Sequence, residues 1–371
     1  MNERKKVAII TRHDVPNYGS FLQALATQIV MEELSFQPTI INYKREDDST
    51  NALIRQYSKE HKNPLFSIYY NTLWRYSHSR IDSILHKERE KYLLCSQPIY
   101  KNALSSLSGK YSLYLTGSDQ VWNMVGSGKT KEIDSSFFWE GLDENSNIIS
   151  YAASFGDSKL SDEDYDRCKK WLRKYKAISV REDSGVKLLD RMGYEATQVL
   201  DPTMIIDKKH WEDITLSAKY RPSKRYALIY NLHSNSNMQE FISKDLKGSG
   251  LKEYNITTTF RRVIGKNVFC PSISDFLYLF KNASCIYADS FHAIAFAIIF
   301  NTPIVITLPK QYSARLESVV RLFGLEQCLV NNIEENGWKE NRIDWDKVNK
   351  ILQFEKDKSK EWLKNTIEKI L

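Results

Sequence analysis

The sequence predicts an α/β protein made of two successive α/β units with parallel sheets. Three observations carry this. Short β-favouring runs alternate with helical periods from residue 7 onward, as in strand-helix-strand units. The alternation breaks at Asp201-Pro202-Thr203 and then starts afresh. A chain of 371 residues with 42% hydrophobic and 27% charged residues is globular and can bury two ordinary cores. The expected domains are 1–205 and 206–371.

Residues 7–10 (VAII) read as a buried strand and TRHDVPNYGS as a loop. In the following FLQALATQIVMEEL, Leu22, Leu25, Ile29 and Val30 keep a helical period, and 39–42 return as a strand. Asn17, Gly19 and Ser20 stand at the helix entrance, where a phosphate or carboxylate can approach backbone amides. Glycine with Asn and Ser is also an ordinary way into a helix.

From about 51 to 105 the β pattern lapses into a helical excursion. There Tyr57, Phe66, Tyr69, Tyr70, Trp74 and Tyr76 mix with Arg55, Lys59, Lys62, Arg75 and Arg80. Such a run can rest on an acidic membrane surface or form a solvated face over a small core.

A strand at 113–116 runs into GSDQVWN. Asp119 can orient a hydroxyl and Trp122 can stack on a sugar ring, with Ser118 and Gln120 as neighbouring hydroxyl contacts; the alternative is an Asp-closed turn with a packed Trp. Residues 147–154 give the next strand and 162–175 a polar helix, whose Asp162-Glu163-Asp164 start reads as an acidic first turn rather than a metal motif. The strand at 177–180 ends in Arg181-Glu182. An arginine there can grip an anion in a bidentate way or pair with a carboxylate. Residues 184–192 are helical, and 198–200 lead into the DPT turn.

The second unit continues with a strand at 226–232, a helix at 238–246, a strand at 255–259 and a helix at 274–281. Then comes ADSFHAIAFAIIF (288–300). Its β run stops at Asp289-Ser290, and the apolar residues 293–300 are too dense for a surface strand, so they form a buried helix. Ser290 is the expected N-cap. His292 falls in the first turn, where free N–H groups and the positive end of the helix dipole make an anion pocket containing a titratable group. The plainer reading is a histidine that caps a core helix. A strand at 304–307 follows, then a helix at 313–323 with Arg315 and Arg321. The Lys-rich segment 344–371 reads as one or two amphipathic helices that can pack back on the first domain.

The net charge of +7 is mild and favours an anionic small ligand or work near a membrane. Zinc-finger spacing, an RNP-type motif and long Lys/Arg clusters are all missing, so no nucleic-acid partner is expected. Cys95, Cys168, Cys270, Cys285 and Cys328 are scattered and odd in number, which suggests neither a disulfide framework nor a cysteine metal site. MNERKKVAII has too few apolar residues for a signal peptide, and no apolar run approaches bilayer length. The expected location is therefore the cytoplasm, including the inner face of the membrane.

Six stretches together resemble the polysaccharide pyruvyl transferase family: NYGSFLQALATQ (17–28), TGSDQVWN (116–123), SYAASFG (150–156), SVREDSG (179–185), LDPT (200–203) and DSFHAIAFAIIF (289–300). They come in the family's order. The resemblance implies two Rossmann-like domains arranged as in GT-B glycosyltransferases with an interdomain cleft. It also implies phosphoenolpyruvate as donor, with transfer of its pyruvyl group onto hydroxyls of a surface polysaccharide or its lipid-linked precursor. In that setting His292 is the proton donor, and Asp119 or Asp289 takes the hydroxyl proton. Arg181, Ser290, Arg315, Asn17, Gly19 and Ser20 bind the donor, and Ser118, Gln120 and Trp122 the acceptor. No metal or cofactor is expected.

Two positions depart from the family pattern. Many members carry an arginine where this chain has Ser290, so Arg181 or Arg315 must supply that charge, and Ala293 stands where relatives often have glycine. The rival functions are a GT-B glycosyltransferase using a nucleotide sugar and a catalytically silent binding protein of polysaccharide assembly.

Overall fold

The computed structural model describes residues 4–45, 50–60, 64–125, 132–156, 159–233, 235–261, 263–309, 313–330 and 343–371. The chain divides into unit 1, Met1–Ile206 with Lys356–Leu371, and unit 2, Asp207–Glu355.

In unit 1, five short strands form a parallel sheet: β1 (Lys6–Ile10), β2 (Gln37–Ile40), β3 (Leu113–Thr116), β4 (Ile148–Ser150) and β5 (Tyr175–Ala177), in the order β2-β1-β3-β4-β5. The inner strands β1, β3 and β4 read as largely apolar runs because helices cover a parallel sheet on both faces. Accordingly Val7–Ile10 and Leu113–Thr116 are wholly buried. The Tyr18–Glu33 helix is buried on almost every side, which is why its apolar period is so dense. The order reverses at β1 and β3, and in open α/β sheets the crevice at such a reversal, beyond the strands' carboxyl ends, is where ligands bind.

Unit 2 repeats the plan with β6 (Tyr226–Tyr230), β7 (Lys252–Thr257), β8 (Lys266–Phe269), β9 (Cys285–Ala288) and β10 (Ile304–Ile306), all parallel in the order β8-β7-β6-β9-β10. Its reversal lies between β6 and β9. The expected α/β class therefore holds, with one parallel sheet in each unit. β8 was not foreseen. It is a four-residue edge strand, half exposed, whose ladder among the described residues is with β7, so its sequence carries little period.

The helix of 291–300 is present as Phe291–Phe300, every residue buried, and Asn301 ends it in the left-handed conformation at φ 55°. The C-terminal segment is one helix, Trp345–Ile370. Within unit 1, Ser359 Oγ accepts from Leu200 N at 2.9 Å and Lys356 Nζ donates to the Ile206 carbonyl at 3.0 Å. The excursion consists of the helices Thr50–Glu60, Pro64–Tyr69 and Arg75–Tyr92, with a π-helical turn at Tyr70–Trp74 and a 3-10 segment at Lys101–Leu107. Leu65, Phe66, Ile68, Leu73 and Tyr76 are exposed on it. Lys62 and the side chains of Tyr57 and Lys59 lie outside the described residues. Among the described residues no helix is long and apolar enough to cross a membrane.

Candidate functional site

At the carboxyl edge of the unit 1 sheet, parallel pairing continues past the strands as single bridges, Asp119 beside Ala153 and Ala153 beside Val180. This register lines up the ends of TGSDQVWN, SYAASFG and SVREDSG. Arg181 N donates to the Ala153 carbonyl at 3.1 Å and Ser154 N to the Asp119 carbonyl at 3.1 Å. The side chains then interlock. Arg181 Nη1 donates to Asp201 Oδ2 at 2.9 Å, and Arg181 Nη2 lies 3.8 Å from Asp119. Asp201 is fully buried and also accepts from Ser118 Oγ at 2.7 Å, Thr203 N at 3.0 Å and Thr203 Oγ1 at 2.6 Å. Ser20 Oγ donates to Asp119 Oδ2. Thr11 Oγ1 donates to the Ser118 carbonyl at 2.8 Å and accepts from Gln23 Nε2 at 2.8 Å. Glu182 Oε1 accepts from Phe155 N at 3.0 Å. Five of the six motif stretches thus meet in one buried network.

This network changes several expectations. Arg181 is 5% exposed, and its fork faces two carboxylates, so the cluster is poorly disposed toward a phosphate or carboxylate donor. The arginine positions Asp119 and Asp201 instead. Asn17 caps the helix, and its Oδ1 accepts from Gly19 N at 2.8 Å and Ser20 N at 3.4 Å, which takes up the amides expected to meet the donor. Trp122 is fully buried, stacked on Phe138 at 5.2 Å and tilted against Phe155 at 5.1 Å, so it belongs to the core and cannot lie on a sugar ring. Ser118 is likewise buried and bonded to Asp201. Gln120 Oε1 accepts from Asn123 Nδ2 at 2.5 Å, and both press on Gly156, where a Cβ would meet them at 2.6 and 2.5 Å. Gly156 also holds φ 72°, so glycine is required there twice over. Asp119 itself has φ 75°, a conformation that costs energy in a non-glycine residue and that clusters at functional sites.

Unit 2 presents different chemistry at its own strand ends. Beyond β6 the chain turns through Asn231, Leu232 and His233. Beyond β9, Asp289 is fully buried and accepts from Leu232 N at 2.7 Å and His233 N at 3.0 Å, and its Oδ2 lies 3.3 Å from His233 Nδ1. Asp289, expected as a base, instead anchors the loop after β6 and orients His233, whose side chain is 30% exposed. Arg261, beyond β7, donates from Nη2 to the Asn231 carbonyl at 2.6 Å. Burial pulls its pKa down, and the charge of Asp289 opposes this. Ser290 occupies the N-cap position but its side chain makes no capping bond. A helix start without a side-chain cap is where an external anion can serve. His292 is 6% exposed in that first turn, beside the Phe291 ring. Arg315 is buried in the first turn of Ala314–Phe323, a helix packed on Phe291–Phe300.

Sequence reasoning missed Asp201, His233 and Arg261. The DPT turn reads as a boundary because the α/β alternation starts afresh beyond it, and Asp201 caps the short helix that follows, as Asp before Pro ordinarily does. His233 and Arg261 could have been found by listing the polar residues just past each strand's carboxyl end. Among the described residues no group of three or more His, Cys, Asp or Glu is arranged to hold a metal ion.

Two parallel α/β units with buried polar clusters at their strand reversals define a ligand-binding α/β protein of the kind that enzymes use. The chain belongs to the polysaccharide pyruvyl transferase family, whose model matches residues 17–308. That family is one of transferases that act on polysaccharides. No curated protein matches the sequence. Solved structures similar to it include UDP-GlcNAc 2-epimerase from Neisseria meningitidis bound to UDP-GlcNAc, at 9% identity and TM-score 0.49 over 99% of this chain and 100% of that one. Others are an S. aureus MnaA–UDP co-structure, at 12% identity and TM-score 0.49 over 94% and 90%, and the glycotransferase of kitacinnamycin, at 10% identity and TM-score 0.48 over 100% of both.

Proposed function

We propose that this chain transfers the pyruvyl group of phosphoenolpyruvate to sugar hydroxyls of a surface polysaccharide or its lipid-linked precursor, forming a pyruvate ketal. The observation that carries the donor assignment is the strand-end chemistry of unit 2, an imidazole in the first turn of a helix whose N-cap side chain makes no capping bond, with a second imidazole and a guanidinium beyond neighbouring strands. Phosphoenolpyruvate carries a carboxylate and a phosphate, which call for cations and N–H donors. His292 donates the proton to the methylene carbon, making the adjacent carbon electrophilic toward a hydroxyl. His233, Arg261 and Arg315 bind the anionic groups, in place of the arginine that relatives carry at the position of Ser290. The reaction uses no cofactor and no divalent metal, and activity should survive a chelator unchanged.

The protein works in the reducing cytoplasm, at the inner membrane face when its acceptor is lipid-linked. The exposed Leu65, Phe66, Ile68, Leu73 and Tyr76, on the same excursion as Arg75 and Arg80, support that placement. The deciding experiment incubates the protein with phosphoenolpyruvate and lipid-linked oligosaccharides, following phosphate release and product mass. A ketal-sized mass increase with equimolar phosphate is expected. Thermal stabilisation by UDP- or GDP-sugars but not by phosphoenolpyruvate would instead favour a glycosyltransferase.

A further inference from the structure

The helical excursion of unit 1 runs without a break from Pro64 to Tyr92, and its two halves differ. The half nearer Tyr92 is tied to the body of the unit. Arg89 Nη2 lies 2.9 Å from Asp14 and 3.3 Å from Asp82, and Gln28 Nε2 donates to the Tyr92 carbonyl at 3.2 Å. Residues 81–92 balance Asp82, Glu88 and Glu90 with Lys87, Arg89 and Lys91. The other half packs on the helix Thr50–Glu60. Trp74 stacks on His78 at 4.7 Å, His78 Nδ1 lies 3.1 Å from Thr50 Oγ1, and Arg75 Nη1 donates to Asn51 Oδ1 at 2.8 Å.

The side turned away from those contacts is apolar. Leu65 is 70% exposed, Ile68 61%, Leu73 49% and Tyr76 56%, with the exposed Phe66 beside them. Leu65 and Leu73 are eight residues apart, as are Ile68 and Tyr76. Two α-turns take about 7.2 residues, so in a uniform α-helix the members of each pair would drift round to different faces. The π-turn Tyr70–Trp74, with its i→i+5 bonding, widens one of the two turns and brings both pairs back into line. Such turns inside α-helices are frequent at functional sites. Arg80, also exposed, continues the stripe one α-turn beyond Tyr76. The charge on this half is nearly all of one sign, since residues 50–80 hold Arg55, Lys59, Lys62, Arg75 and Arg80 against the carboxylate of Glu60.

We propose that this face of residues 65–80 docks on an anionic phospholipid bilayer. The helix lies in the plane of the interface, with Leu65, Ile68 and Leu73 below the headgroups, the Tyr76 ring at headgroup level, and Arg75 and Arg80 against the lipid phosphates. The inference deepens the membrane placement given above and rests on that reading only for the purpose the contact serves, access to a lipid-linked acceptor. Charge selects the occupant. An anionic bilayer offers apolar depth beneath a layer of negative charge, and a stripe of exposed aliphatic and aromatic side chains flanked by cations complements both. A second copy of this chain seated on the same face would instead set the cations against their equivalents across a twofold axis.

The test sediments the full chain with vesicles of phosphatidylcholine, with and without phosphatidylglycerol. Binding should need phosphatidylglycerol and weaken as salt is raised. The double variant Leu65→Ser/Ile68→Ser should bind roughly tenfold or more weakly. Arg75→Gln/Arg80→Gln should lose about fivefold for each charge removed, whereas Arg75→Lys/Arg80→Lys, which keeps both charges, should bind as the wild type does. Because Leu65 and Ile68 are exposed, their replacement leaves the fold intact and decides the question even if the arginine variant melts early. A wild type that stays in solution with phosphatidylglycerol vesicles overturns the proposal, and if it is then a dimer that Leu65→Ser/Ile68→Ser splits, the face joins two copies instead. A Leu65→Ser/Ile68→Ser variant that binds the vesicles as tightly as wild type also overturns it. Phosphate release from phosphoenolpyruvate with a detergent-solubilised lipid-linked oligosaccharide, measured alongside, should be the same in wild type and variants. Vesicle binding without any phosphate release upholds the membrane face and overturns the pyruvyl reading, and phosphate release without vesicle binding does the reverse.

Discussion

The two units share a plan and differ in what stands at their strand ends. Each has five parallel strands and a reversal with loops beyond it. In unit 1 those loops lock into one another, with Asp201 accepting from Ser118, Thr203 and Arg181, and Arg181 facing Asp201 and Asp119. In unit 2 the buried carboxylate among the described residues, Asp289, is spent on two amides and a histidine, and the imidazoles of His233 and His292 stand at the strand ends. The difference teaches that motif density and titratable chemistry need not coincide. Five of the motif stretches build one hydrogen-bonded frame, and the sixth holds His292, to which the proposed function assigns the proton transfer.

If this contrast is right, substitutions in unit 2 should strike turnover and those in the unit 1 network should strike stability. The largest effect is expected from His292→Gln. Loss of a proton donor should lower turnover by about 10²–10⁴-fold with little change in melting temperature, since Gln fits a first helical turn. A melting temperature that drops while turnover per folded molecule is kept would make His292 a packing residue and erase the contrast. Next, Asp201→Ala leaves Arg181 buried without its nearest carboxylate and should cost about 3–5 kcal/mol in urea unfolding. Phosphoenolpyruvate affinity of the folded fraction should be unchanged, and a selective loss of that affinity would return Arg181 to the donor site.

Asp289→Asn keeps one acceptor for two amides and should cost about 1–3 kcal/mol. It should also lower turnover less than His292→Gln does, and rescue by Asp289→Glu would identify it as orienting His233 rather than reacting. The smallest effect concerns His13. Burial holds its folded pKa below the ordinary value of 6.5, so the unfolded chain binds more protons as pH falls. The stability its neutral form contributes is therefore present above pH 6.5 and lost below it. His13→Gln should be less stable than wild type at pH 7.5, and the gap should narrow by pH 5.5 in parallel thermal melts. A gap that widens toward acid would mean the ring is charged in the folded protein.

The sequence by itself determined the α/β alternation in each unit, though not β8 or the helix Lys208–Thr215, together with the burial of the Phe291–Phe300 helix and the place of His292 in its first turn. These are local matters, since apolar period and capping residues act over a few positions. Only the tertiary structure decided what the polar residues touch. Ser20 reaches Asp119 across 99 positions, Ser118 reaches Asp201 across 83, and Leu232 reaches Asp289 across 57. A side chain's period says which face it takes, whereas its partner is set by the strand beside it. In unit 1, parallel pairing brings Asp119 next to Ala153 and Ala153 next to Val180, and through that register it gave Arg181 two carboxylates and put Trp122 in the core; in unit 2, the pairing of Tyr230 with Ala288 set Asp289 beside the loop after β6 and made it an anchor.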